Sequence, residues 1–178
     1  MTTNRFLELA RSSDAQLEKI LRASKAPALE SLVGYEWRGS NISWRIKLLG
    51  LQKFIKGFFR EAESVVGYNI PVQQNGLDQP WLDRPTLESP KRFAFYLVTQ
   101  VDRGSVDNLY PKAILLDYGA SHRNPANGIE RLLRDYVVQP DPNNPDLLLG
   151  KAYLAVGPLR LPSNFFVLER LRLGSWRP

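Results

Sequence analysis

The sequence predicts a mainly β protein in which about eight strands close into one antiparallel barrel behind N-terminal helices. From Val33 onward, short apolar or alternating segments are separated by clusters of Gly, Pro, Asn and Asp, which is the pattern of strands and turns. A barrel is favoured because closure leaves no unpaired strand edge, and a β-sandwich is the alternative. The 178 residues, 43% of them hydrophobic, suffice for one core. We therefore expect a single domain over 1–178, with a helical segment over 1–32 and the barrel over 33–172.

The helical signals lie in the N-terminal segment. Leucine and isoleucine recur at helical spacing within residues 3–23, but the stripe breaks near its middle. Ser13 or Asp14 is a suitable N-cap there, so we predict two short helices or one kinked helix. A further helical turn is predicted from Pro27 to Leu32, because proline suits the first position of a helix.

The segments that follow have strand character, and the clearest alternation lies within residues 92–101. The strands are predicted at about 33–39, 53–60, 63–72, 91–102, 111–118, 131–139, 146–156 and 163–172. The segment 43–60 fits two patterns, and we predict a short helix near 43–50, a stop at Gly50 and then a strand. The stretch 73–90 is rich in Pro, Gln, Asn and Asp and is predicted to be a long loop.

Positive charge is concentrated in the first third of the chain. The net charge is +6, and residues 1–60 hold 11 basic and 5 acidic side chains, whereas residues 61–178 hold 13 of each. Between Trp37 and Phe59 every charged side chain is basic, and aromatic residues are interleaved with them. This pattern fits a solvated basic face, an anionic head group at a barrel mouth, an anionic membrane surface or, least favoured, nucleic acid.

The composition excludes several kinds of site. The chain has no cysteine, which excludes disulfides, thiolate metal sites and cysteine nucleophiles. The single histidine, His122, cannot build a multi-histidine metal site, and neither a metal nor a cofactor is expected. No stretch of about 18 apolar residues is present and the first residues include charged ones, so we expect a soluble, cytoplasmic protein.

The segment Gly34-Tyr-Glu-Trp-Arg-Gly39 resembles the GxWxG signature of a family of uncharacterised lipocalin-like (calycin-type) proteins. Segments 53–58, 113–119 and 165–170 are similar, in the same order, to a basic-aromatic segment, a central strand and a closing strand of that family. The family pattern has glycine two residues before the tryptophan, where this chain has Tyr35. The resemblance implies a barrel that holds a small apolar molecule.

The resemblance also implies a structural pair. In lipocalin-like barrels a tryptophan of the first strand packs at the closed end, often against an arginine of the last strand. Trp37 with Arg170 or Arg172 would fill these roles. A guanidinium over an indole ring is favourable by roughly 0.5–2 kcal/mol, so such a pair would stabilise the fold without contacting a ligand.

We expect the barrel cavity to bind a small apolar or amphipathic anionic ligand that resembles a lipid. Arg38, Lys53 and Lys56 are the candidates to contact its anionic end. The candidate wall residues, taken from the clearest strands, are Phe93, Phe95, Leu97, Tyr136, Tyr153, Phe165 and Val167.

Two other functions stay open. An enzyme on the same barrel would use Asp117 or Asp135 with Tyr118 or Tyr136, because a carboxylate and a phenol that face one pocket can act as acid and base. No catalytic residue is assigned on the sequence alone. An interaction module would instead use residues 43–60 to contact a membrane or a protein.

Overall fold

The computed structural model of the protein describes residues 2–43, 48–174 and 176. Two helices precede the strands, α1 at Asn4–Arg11 and α2 at Asp14–Ala23. The strands are β1 Tyr35–Asn41, β2 Lys53–Glu61, β3 Ser64–Pro71, β4 Phe93–Gln100, β5 Ile114–Asp117, β6 Leu133–Val138, β7 Leu147–Val156 and β8 Leu159–Leu173. Short 3-10 helices lie at Leu29–Ser31 and Ile129–Leu132. The mainly β prediction is confirmed.

The strands form one closed antiparallel barrel in sequence order, from β1 to β8. Closure is made by β1 and β8, which pair antiparallel from Tyr35 opposite Leu173 to Asn41 opposite Phe166. The barrel prediction is therefore confirmed, and the β-sandwich alternative is wrong. We call the end at which β1, β3, β5 and β7 finish the open end, and the opposite end the closed end.

Local capping explains the two helices. Thr3 caps α1 by accepting a hydrogen bond from the Phe6 N–H. Ser13 caps α2 in a capping box with Gln16, which satisfies two backbone donors reciprocally. The break predicted at this serine is confirmed. In the described part of the chain, neither helix has the length and the apolar surface that a membrane-spanning helix needs.

Two further expectations concern the segments around β1. The helical turn predicted between Pro27 and Leu32 is present as the 3-10 helix Leu29–Ser31. The short helix predicted near 43–50 includes residues 44–47, which lie outside the described residues. Gly50, its predicted stop, has φ of +68°, a left-handed conformation that favours glycine.

The barrel wall carries apolar side chains on both faces. The inward face fills the closed end; its buried members include Trp37, Phe58, Val65, Tyr96, Val98, Ile114, Leu116, Val137, Leu148 and Leu168. On the outward face, Phe6 and Leu9 of α1 and Leu17 and Leu21 of α2 pack in one core with residues of β7 and β8. Burial on both faces explains why β7 and β8 contain nearly continuous apolar runs.

Glycine opposite an aromatic residue recurs in the described part of the barrel. The cross-strand pairs are Gly39 with Phe54, Gly57 with Tyr68, Gly67 with Tyr96 and Gly150 with Phe166. In each pair a Cβ added to the glycine would overlap the partner ring, so the ring lies across the glycine backbone. This close approach lets large rings pack against the barrel wall, on either face, without pushing neighbouring strands apart.

We predict that Gly67→Ala lowers the free energy of unfolding by about 1–3 kcal/mol, because the new methyl group overpacks the ring of buried Tyr96. Urea unfolding measures the change. Gly104→Ala is the matched control, since Gly104 is exposed and its added Cβ has room; we expect a change within about 0.5 kcal/mol there. Equal effects of the two substitutions would contradict this packing role.

Candidate ligand-binding site

A cavity of about 690 Å³ enters the barrel from the open end. This volume lies within the range of about 300–1,000 Å³ that small-molecule sites occupy. Its apolar wall is made by inward-facing residues and strand ends, namely Phe54, Pro71, Phe93, Ala94, Leu133, Ala152 and Phe166. Its rim includes Asn41, Leu51, Gln73, Gln74, Arg84 and Asn164. The wall therefore suits an apolar body, and the rim is mostly polar.

Lys56 lies at the floor of this cavity, at the middle of β2. Its Nζ lies 3.0 Å from Oδ2 of Asp135 and 3.0 Å from Oδ1 of Asn69, and it also donates to the hydroxyl of Tyr118. The side chains of Lys56 and Asp135 are 3% and 5% exposed. A buried ion pair of this kind is retained only when good geometry and further hydrogen bonds offset desolvation.

Tyr118 and Asn69 complete the polar cluster. The Tyr118 hydroxyl donates to Oδ2 of Asp135 over 2.8 Å, and the amide nitrogen of Asn69 donates to the carbonyl of Ala94 over 2.9 Å. Burial, with the negative charge of Asp135, raises the pKa of Tyr118 well above its ordinary value, so the phenol keeps its proton. We call Lys56, Asn69, Tyr118 and Asp135 the floor cluster.

Aromatic rings surround the ammonium of Lys56. The ring centres of Tyr96, Tyr118, Phe166 and Phe54 lie 4.8, 5.1, 5.4 and 5.6 Å from its Nζ. Ring faces attract a cation, which offsets part of the desolvation of this side chain. Burial still lowers the pKa of Lys56 below its ordinary value, while the neighbouring Asp135 carboxylate opposes that shift.

The three basic residues expected to contact an anionic end are separated by the structure. Lys56 faces the cavity. Arg38 lies on the outer face, where its Nε is 2.8 Å from Oε2 of Glu169. Lys53 borders the cavity, but its Nζ donates to the carbonyls of Gly76, Gln79 and Pro80 and to Asn75, and it lies 3.7 Å from the ring centre of Trp81. Loop 73–81 therefore holds its charge outside the barrel.

The expected wall residues lie mostly outside the cavity, which corrects the choice of strand face. Phe93 lines the cavity at the start of β4. The others belong to the outer face: Phe95, Leu97, Tyr136, Tyr153, Phe165 and Val167. Residues of the last two strands and Tyr136 share one core with α1 and α2, and Phe95 packs on Trp176. The outer face is apolar where α1, α2 and Trp176 cover it, so alternation alone did not indicate which face was inside.

The structural pair implied by the lipocalin-like resemblance is brought together at the closed end. The guanidinium carbon of Arg170 lies 5.0 Å from the ring centre of Trp37 and 4.0 Å from that of Tyr35. Trp37 is fully buried. Arg172, the alternative partner, instead pairs with Glu36 at 2.7 Å and with Asp83.

The carboxylates considered for catalysis lie in different places. Asp135 and Tyr118 face the cavity together, as the floor cluster shows. Asp117 points outward, where it accepts hydrogen bonds from the Gly119 and Ala120 N–H groups and pairs with Arg134. Among the described residues, no group of three or more His, Asp or Glu side chains is arranged to hold a metal ion.

Sequence reasoning did not assign Asn69, Phe54, Ala152 or Phe166 to the cavity. The sequence nevertheless contained a pattern that indicates the floor cluster. On β2, Lys56 lies on one face between two phenylalanines, and on β6 Asp135 lies on one face between Leu133 and Val137. A charged side chain on an otherwise apolar strand face indicates a buried polar partner across the interior.

Comparisons with protein-family models, with curated proteins and with solved structures found no match to this chain.

We predict that Lys56→Met lowers the free energy of unfolding by about 3–5 kcal/mol, because it leaves the Asp135 carboxylate buried without its counter-charge. The double variant Lys56→Met/Asp135→Leu should recover most of this loss, since neither charge then remains. Urea unfolding of the two single variants, the double variant and the natural protein forms the test. Additive losses in the double variant would show that the two side chains are not coupled.

Proposed function

We propose that this protein binds a small amphipathic, lipid-like molecule inside its barrel, with the apolar body against the cavity wall and the polar end at the floor cluster. The observation that carries the proposal is the open cavity of about 690 Å³, which has apolar walls and a deep polar cluster. Sites of this kind use a few placed polar groups to orient an otherwise apolar ligand. The lipocalin-like resemblance and the pairing of Trp37 with Arg170 support the same function.

The proposal differs from the sequence expectation in the residues that would contact the ligand. Phe54, Phe93, Ala152 and Phe166 replace the outer-face residues as wall contacts. Lys56 lines the cavity as a member of the floor cluster, which would receive the polar end of the ligand. A cytoplasmic location, expected from the cysteine-free sequence, is part of the proposal.

We predict that Ala152→Phe weakens ligand binding at least about tenfold, because its new ring would occupy the cavity. The probe is N-phenyl-1-naphthylamine, an uncharged fluorophore whose emission rises in apolar sites, titrated into the natural protein and each variant. Ala155→Phe is the matched control, since Ala155 lies on the same strand and does not line the cavity. Urea unfolding midpoints verify that both variants are folded. A natural protein that binds neither this probe nor a co-purifying lipid would overturn the proposal.

We propose membrane contact at the open end as a second function. Leu48, Leu49 and Leu51 lie in the β1–β2 connection with 77%, 71% and 55% of their surface exposed, and Leu51 borders the cavity. Exposed apolar residues grouped at one place are typical of an interaction surface. The same connection carries Arg45 and Lys47 in its sequence, and it contains no acidic residue. Leucines that follow basic residues in the sequence suit the surface of an anionic bilayer.

We predict that the natural protein sediments with vesicles of mixed phosphatidylcholine and phosphatidylglycerol more than with phosphatidylcholine alone. Leu48→Ser/Leu49→Ser should reduce the bound fraction several-fold, because it removes apolar area that would enter the interface. Leu173→Ser is the control, since Leu173 is 71% exposed but lies at the closed end. Equal sedimentation of all three proteins would contradict contact through the open end.

A further inference from the structure

The donors of the floor cluster are all used inside the protein. The ammonium of Lys56 has three N–H groups. Its acceptors are Oδ1 of Asn69, the hydroxyl of Tyr118 and Oδ2 of Asp135. The Tyr118 hydroxyl gives its one proton to Asp135, and the Asn69 amide donates to the carbonyl of Ala94 and faces the Tyr118 oxygen at 3.5 Å. The cluster therefore has little capacity to donate to a ligand.

The remaining capacity of the cluster is that of an acceptor. Lys56 and Tyr118 both contact the same oxygen of Asp135, Oδ2. Its second oxygen, Oδ1, accepts no hydrogen bond from any residue that the structure describes, although the side chain is 5% exposed and lines the cavity. A carboxylate oxygen has lone pairs for further donors, so Oδ1 can accept a hydrogen bond from a ligand in the cavity.

The charge of the floor cluster sums to zero. Lys56 and Asp135 contribute one charge of each sign, and Asn69 and Tyr118 are neutral. A ligand carboxylate would lose its hydration in the cavity without finding a free N–H, and it would face the open oxygen of Asp135. A ligand ammonium would lie near the ammonium of Lys56. A hydroxyl carries no charge to desolvate and donates one hydrogen bond.

We propose that the floor cluster selects an uncharged ligand whose polar end donates a hydrogen bond to Oδ1 of Asp135, as a hydroxyl on an apolar chain does. The inference rests on the proposed function, since it assigns the class of molecule that the cavity takes. It replaces the anionic end expected from the basic sequence with an alcohol. The basic excess belongs instead to cations that the protein pairs internally, such as Arg38 and Lys53, and to the surface.

Three ligands of equal chain length test this selectivity: decanol, decanoate and decylammonium, each titrated calorimetrically at pH 7 into the natural protein. We expect decanol to bind about tenfold tighter than either ion, because only the neutral donor matches the floor. Tighter binding of decanoate or decylammonium would overturn the inference and leave the proposed function intact. Failure of all three to bind, together with failure of the uncharged fluorophore, would instead overturn the proposed function.

A charge variant gives a second, independent readout. Asp135→Asn removes the negative charge that opposes a ligand carboxylate at the floor, so we expect the preference to move from decanol toward decanoate by at least about tenfold. Asp102→Asn is the control; Asp102 is exposed in the β4–β5 connection and should leave selectivity unchanged. A folded Asp135→Asn protein that keeps the natural preference would refute the role of this carboxylate. The comparison in the natural protein decides the question if the variant does not fold.

Discussion

The buried ion pair between Lys56 and Asp135 divides the interior of the barrel. These residues belong to β2 and β6, which lie four strands apart and so face each other across the lumen. Tyr118, directly after β5, and Asn69 of β3 join the same network. Because two charges can be buried only when they meet, the pair holds opposite walls at one separation. Below it rings and aliphatic side chains fill the closed end, and above it the cavity begins.

Packing on the outside of the barrel allows this interior to stay partly open. A barrel with a cavity has less inward apolar surface to bury, and the outer core compensates for it. The helices α1 and α2 cover apolar side chains of β7 and β8, and Trp81 packs edge-on to Phe6 at 6.1 Å. The glycine–aromatic pairs add ring packing on both faces. The fold is thus stabilised from both sides of its wall.

The floor cluster, the wall and the rim of the cavity indicate how a ligand would be oriented. The floor offers an acceptor in a neutral setting, and the wall offers phenylalanine rings and small side chains. The rim carries exposed leucines in the connection after β1. An amphipathic alcohol fits this order, since its polar end would pass the rim first and satisfy the deepest group. A soluble anion would find its candidate cations already engaged.

The sequence by itself determined the helices and the strands, because these depend on local interactions. The cavity and its floor cluster depend on contacts between residues far apart in sequence, and only the tertiary structure decided them. Serine capping, turn residues and alternation predicted both helices and all the strands, because each depends on neighbouring residues. The cavity needed the tertiary structure. Alternation places Phe165 and Phe166 on opposite faces of β8. Only the position of α1 and α2 shows that Phe165 faces outward and Phe166 faces the interior. Likewise, Lys56 and Asp135 are far apart in sequence, and barrel closure alone makes them partners.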